Sequence, residues 1–202
     1  MSFVLKEVSA LWPKLDRTYR FDNAEMRSVP CSPTADGAEY TINAEMSPEQ
    51  AKELHAYCQS VWDDFAKKNK GAEYVNKPYK KNEQGLVVAK AKLKGAYNGE
   101  ATRKPRVFDS TNQLVADDFK LTTGSTINLQ VTAIPYATGM AQGISLRIGA
   151  VQVLDLAESS VSSPFGEVKG GYTGGDKPFG EIEQPKKVNG SAGALEDDIP
   201  FN

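Results

Sequence analysis

Lys90, Lys92 and Lys94 alternate with Ala89, Ala91 and Leu93 in the stretch Leu86-Val-Val-Ala-Lys-Ala-Lys-Leu-Lys94. A period of two over this length predicts a half-buried strand, with its apolar side chains on a core and its lysines in a row on the open face. Like charges crowded on one sheet face repel one another, so the chemistry such a row performs is the neutralisation of a polyanion. The flanks widen the field. From residue 67 to 106 there are twelve basic residues, among them Lys77, Lys80, Lys81, Arg103, Lys104 and Arg106, against three acids, Glu73, Glu83 and Glu100. Lysine runs alone are often no more than solvated surface. Here Tyr74, Tyr79, Tyr97 and Phe108 are interleaved with the charges, and base stacking on such rings contributes about 1–3 kcal/mol per base whatever the sequence. Cations with aromatic platforms are what an unpaired nucleic-acid strand requires.

Other chemistries find less support. His55 is the only histidine, and Cys31 and Cys58 are the only cysteines, which removes most metal sites and most Ser-His or Cys-His schemes. Gly170 and Gly175 imitate a phosphate-binding loop, but Asp176 stands where its lysine belongs. The expectation is a protein without catalysis, cofactor or metal. No run of eighteen apolar residues occurs, and Met-Ser-Phe-Val-Leu-Lys-Glu at the N-terminus lacks the layout of a signal peptide. A cytoplasmic location without membrane association is expected. The net charge of −2 over 202 residues conceals the segregation that matters for a charged ligand.

The elements that must position the lysine row are read in chain order. Residues 3–12 predict a first strand, ended by Pro13, with Trp12 read as a core cap in preference to a base-stacking residue. Residues 18–37 read as irregular, and residues 39–46 as a strand with Tyr40 and Ile42 on one side. Ser47-Pro-Glu-Gln50 is a helix start: a capping serine, a proline at the first helical position and a glutamine that completes a capping box. Ala51, Leu54, Cys58, Val61, Trp62 and Phe65 follow at helical spacing as one buried stripe. Lys67, Lys68 and Lys70 suit its C-terminal dipole, with Gly71 as terminator. Tyr97-Asn98-Gly99 marks a turn, residues 106–109 a short strand, and residues 124–136 and 143–156 two longer ones joined by a turn-rich connection. Tyr136 is a further candidate for stacking and Arg147 for a phosphate. Strands interrupted by one helix fit a mainly β, OB-fold-like Greek-key barrel over residues 1–156.

From residue 157 to 202 apolar periodicity fades, which predicts a disordered acidic tail. Its end, Leu195-Glu-Asp-Asp-Ile-Pro-Phe-Asn202, differs. Asp197, Asp198, Ile199, Pro200 and Phe201 strongly resemble the C-terminal tip of bacterial single-stranded-DNA-binding proteins, although in that family the phenylalanine is last. The body resembles instead the bacteriophage single-stranded-DNA-binding proteins, through Ala10-Leu-Trp-Pro-Lys-Leu15, Pro105-Arg-Val-Phe-Asp109 and Gly143-Ile-Ser-Leu-Arg-Ile-Gly-Ala-Val-Gln-Val153. The resemblance implies an OB-fold with an inserted helix that binds and protects single-stranded DNA without sequence preference. It also implies a tip that recruits replication, recombination or repair proteins. Two other classes stay open at this point, a strand-annealing recombination mediator and an adaptor or virion component that binds no nucleic acid.

Overall fold

The computed structural model describes residues 2–139 and 141–158. The tail beyond these, including the tip residues 197–201, lies outside the described residues. Ten strands and one helix follow in the order β1 (Phe3–Asp22), β2 (Arg27–Pro30), β3 (Glu39–Met46), α1 (Pro48–Lys68), β4 (Tyr79–Lys81), β5 (Val87–Lys94), β6 (Ala96–Tyr97), β7 (Glu100–Ala101), β8 (Arg106–Phe108), β9 (Thr126–Thr138) and β10 (Ala141–Asp155). Strand β3 pairs antiparallel with β1 and β5, and β9 pairs antiparallel with β1 and β10. A short parallel contact, Leu146 beside Ala91 and Arg147 beside Lys92, joins β10 to β5. These five strands therefore form a ring, closed at one seam by only two residue pairs and less regular than an ideal barrel. The mainly β, OB-like body with one inserted helix is as the sequence implies.

The ring closes on side chains that alternate as a period of two requires. Ile42, Ala44, Ala89, Ala91, Ile127, Leu129, Val131, Leu146 and Ile148 point inward and are buried. Helix α1 covers one end with its predicted stripe: Ala51, Leu54, Cys58 and Trp62 are buried, with Val61 and Phe65 packed beside them. Its start is the capping box the sequence spells, the Gln50 amide N–H donating to the Ser47 hydroxyl at 3.3 Å and the Ser47 N–H to the Gln50 side chain at 2.8 Å. The helix stops at Lys68 with Asn69 as its cap, two residues before Gly71.

Strand β1 departs from expectation. It does not stop at Pro13 but runs 20 residues to Asp22 and turns back into β2, so the stretch read as irregular is largely a hairpin. The physical reason is a pair of bulges. Glu7 and Trp12 take positive φ values of 51° and 46°, and each lies where the register of β1 shifts. The N–H groups released there are caught by distant side chains, Glu7 donating to Asn128 Oδ1 and Trp12 to Thr123 Oγ1, each at 3.0 Å. Pro13 falls inside the second bulge, between the paired residues Leu11 and Lys14, and so costs the ladder nothing. Pro135 is likewise accommodated within β9, because β1 flanks that strand only as far as Val131 and leaves the edge beside Pro135 unpaired. The β9–β10 hairpin is accordingly tighter than the turn-rich connection the sequence suggests.

Candidate nucleic-acid interface

Register fixes what lies beside the lysine row. Lys90, Lys92 and Lys94 of β5 stand opposite Asn43, Thr41 and Glu39 of β3, and Thr41 in turn stands opposite Lys14 of β1. All three β5 lysines are exposed. Successive members are about 6.7 Å apart along the strand, and the row lies about 10 Å, two strand spacings, from β1. The open face over β1, β3 and β5 is thus a polar floor of Asn43 and Thr41 with cations along both walls.

Charge on this face is only partly answered from within. Lys92 pairs with Glu39 at 3.6 Å, whereas Lys14, Lys90 and Lys94 have no ion pair among the described residues. Burial, and then the Lys90 ammonium, hold the Lys14 ammonium below the usual lysine range, with Glu39 opposing them. A neighbouring cation close enough to disfavour the charge of Lys14 makes this a place where an anion would be stabilised.

Aromatic rings border the same face. Trp12 is 65 % exposed and Phe21 57 %; with Lys14, Tyr19, Asn43 and Lys90 they line one shallow groove of about 360 Å³. The reading of Trp12 as a core cap is therefore corrected. The bulge at its positive φ turns the indole outward, onto the lysine face. Tyr97 is 51 % exposed on the tight β6–β7 hairpin, with the Lys94 ammonium 6.0 Å from its ring centre, and the Lys14 ammonium lies 5.6 Å from the Tyr19 ring. Such contacts hold a ring and a cation together at a surface.

The remaining candidates divide. Arg147 is exposed beside Lys92 on the next strand, and Lys80 lies across from Val88 on the other side of β5's edge; with exposed Lys77 and Lys81 they extend the basic surface around the ring. Arg106 is exposed on β8, its guanidinium 5.8 Å from the Phe108 ring, and Arg103 is exposed on the loop before it. Lys104 is engaged elsewhere, donating to the Asp117 carbonyl oxygen with the Asp117 carboxylate 3.9 Å away. Tyr136 is half-buried on the β9–β10 hairpin opposite Gly143. There Gly143, with φ 157°, passes so close to Asn76 that any Cβ would drive into the Asn76 carbonyl oxygen. Tyr79 turns the other way. Its hydroxyl meets His55 Nδ1 at 2.5 Å and its ring packs against the core, so it stands with the helix rather than with the lysines. Tyr74 is also on that side, stacked on Trp62 with ring centres 5.2 Å apart.

Trp12, Lys14, Tyr19 and Phe21 are the residues of this candidate face that sequence periodicity misses. Their signal was present: Lys14 and Arg20 bracket Tyr19 and lie close to Trp12 and Phe21, a small copy of the cation and ring pattern found at residues 67–106. Among the described residues no group of three His, Cys, Asp or Glu is placed to hold a metal ion, and no helix is long and apolar enough to cross a membrane.

No protein-family model matches the sequence, and no curated protein matches it significantly. Solved structures do match. The gp2.5 single-stranded-DNA-binding protein of bacteriophage T7 aligns with a TM-score of 0.58 at 14% identity, over 82% of this chain and 98% of that one. The single-stranded-DNA-binding protein of bacteriophage Enc34, in complex with single-stranded DNA, aligns with a TM-score of 0.55 at 14% identity, over 78% of this chain and 88% of that one. At such identities the likeness is one of fold, and it is the fold the sequence motifs anticipate.

Proposed function

We propose that this chain, which shares its fold with phage single-stranded-DNA-binding proteins, is itself a sequence-independent binder of single-stranded DNA that covers exposed strands. The observation that carries the reading is the coincidence on one sheet face of Lys14, Lys90, Lys92 and Lys94 with the exposed rings of Trp12, Phe21 and Tyr97. Phosphates lie along the lysines and bases stack on the rings, which ask nothing of base identity. A duplex hides the faces of its bases, so the same surface favours unpaired strands. Lys77, Lys80, Lys81, Arg103, Arg106 and Arg147 supply the surrounding field.

Titration of the full chain with polythymidylate at graded salt tests this. Four neutralised phosphates give a slope of about −2.8 in log affinity against log salt, about −0.7 for each. Binding that ignores salt, or that is as tight to duplex as to single strand, overturns the reading.

The acidic tip belongs to the same proposal. Asp197, Asp198, Ile199, Pro200 and Phe201 recruit replication, recombination or repair proteins to the covered strand, supported by the sequence of those residues alone. Deleting residues 195–202 abolishes that capture and, by removing acids that compete for the lysine face, tightens DNA binding at low salt. Retained capture sinks the recruiting role.

A further inference from the structure

We infer that the strand does not end at β1 but crosses Tyr19 into a second groove, where Arg17 and Lys120 take further phosphates. This rests on the single-strand reading above and extends it to the path and length of strand covered.

Tyr19 lines two grooves of similar size. One is the lysine groove of about 360 Å³. The other, about 370 Å³, is lined by Pro13, Asp16, Arg17, Tyr19, Lys120 and Leu121. The two are therefore neighbours across one ring, on opposite sides of the bulged middle of β1.

The second groove has fixed walls. The segment carrying Lys120 and Leu121 is tied to β1 by three hydrogen bonds, Ala10 N–H to the Ser125 carbonyl at 2.9 Å, Gly124 N–H to the Ala10 carbonyl at 2.8 Å and Trp12 N–H to Thr123 Oγ1 at 3.0 Å. Leu121 is buried beneath it, and Lys120 is exposed. The dividing ring is fixed as well, its hydroxyl donating to Asp16 Oδ1 at 3.2 Å while Lys14 lies over its face. Asp16 is the one acid in the lining, and Arg17 Nε neutralises it at 2.9 Å. That contact uses one of the five guanidinium N–H groups and leaves the others for a phosphate. Lys120 has no hydrogen bond or ion pair among the described residues. The groove thus carries a net positive charge.

The path follows. A strand laid across β5, β3 and β1 leaves the lysine groove at Tyr19, and the next anion sites along that direction are Arg17 and Lys120. Asp16 acts through Tyr19 and Arg17, as a positioning residue for both.

Thymidylate oligomers of about 4 and about 16 nucleotides, which bracket the strand lengths one OB-fold covers, separate the two grooves in salt-graded titrations of the full chain. The Arg17→Ala, Lys120→Ala double variant should bind the short oligomer like the parent. On the long oligomer its slope should be shallower by about 1.4, for two phosphates lost. Lys120→Ala alone, which removes no hydrogen bond or ion pair among the described residues, should lose about half of that. Parent-like slopes on the long oligomer overturn the second groove, and so does an equal loss on both lengths. A length effect that moves instead with Lys80→Ala, Arg147→Ala shows the strand turning toward β4 and β10, and overturns it too. Lys90→Ala, Lys92→Ala should weaken both lengths; if it weakens neither, the single-strand reading itself fails, a result distinct from failure of the second groove alone.

Discussion

The helix-covered end of this strand ring and its lysine face use aromatic residues in opposite ways. At the helix-covered end, rings meet rings: Trp62 stacks on Tyr74, Phe3 on Tyr57 at 5.0 Å, and His55 stands edge-on to Tyr79. On the lysine face, rings meet cations or nothing: Tyr19 has Lys14, Tyr97 has Lys94, and Trp12 and Phe21 stand in solvent. Composition is the same in both places. What differs is whether another element covers the aromatic ring, and that is decided by α1 at the covered end and by the bulges of β1 on the lysine face. A ring that is covered serves stability. A ring left open beside charge remains free for a ligand.

The two tryptophans put the largest number on that contrast. Trp62→Ala removes a buried ring from the helix stripe and should cost about 3–5 kcal/mol of folding stability, seen as a lower midpoint in urea. Trp12→Ala should leave stability within about 0.5 kcal/mol and weaken polythymidylate binding by about 1–3 kcal/mol. The parent's DNA-induced fluorescence quench should vanish in Trp12→Phe, because Trp62 is beyond the reach of a bound base. A quench that survives in Trp12→Phe would erase the distinction between the two regions.

The same contrast explains what was legible in the sequence. Strand β5, α1 and the long strands β9 and β10 declare themselves through unbroken periodicity and, for the helix, through a capping box whose two hydrogen bonds form as spelled. The lysine row was legible for the same reason. The course of β1 was not. Two non-glycine residues at positive φ break its alternation, and the side chains that satisfy the freed N–H groups, Asn128 and Thr123, lie more than a hundred residues away. The cation and ring pattern of Trp12, Lys14, Tyr19 and Phe21 was there to read, but not the way they face, since no local pattern says which way a bulge turns a side chain. Tyr79 is the converse case. A three-residue strand is too short for its periodicity to fix a face, and the His55 contact that holds the ring toward the helix spans 24 positions.

A smaller effect separates the two regions by pH. Burial at the helix end pushes the Cys58 thiol up from 9.0 to about 11, its contact with Tyr74 working weakly against this. The folded state therefore holds this proton more tightly than the unfolded chain does. The stability it contributes is complete below pH 9 and is lost as pH rises toward 11. In urea melts across that window, Cys58→Ala, though less stable at neutral pH, should fall less steeply than the parent. Identical slopes would mean that the thiol is not sealed under the helix. Cys31, half-buried near the other end of β1, should react with an alkylating reagent in the native protein while Cys58 does not.

The smallest effect lies on the lysine face itself. Glu39 is the acid that restrains the row, 3.6 Å from Lys92 and close enough to raise the Lys14 ammonium against the lowering by its other neighbours. For a half-exposed pair this is worth about 0.2–1 kcal/mol, so Glu39→Gln should hardly move the unfolding midpoint. Its consequence for a ligand is of opposite sign. Without the carboxylate, Lys14 and Lys92 face a phosphate uncompensated, and single-strand affinity should rise by up to about five-fold at low salt, the gain shrinking as salt screens the face. An acid kept inside a cationic groove weakens the attraction of that groove for a phosphate. Unchanged or weaker affinity in Glu39→Gln would mean that the phosphates run elsewhere than along Lys14 and Lys92, and the face with open rings would lose its claim to the strand.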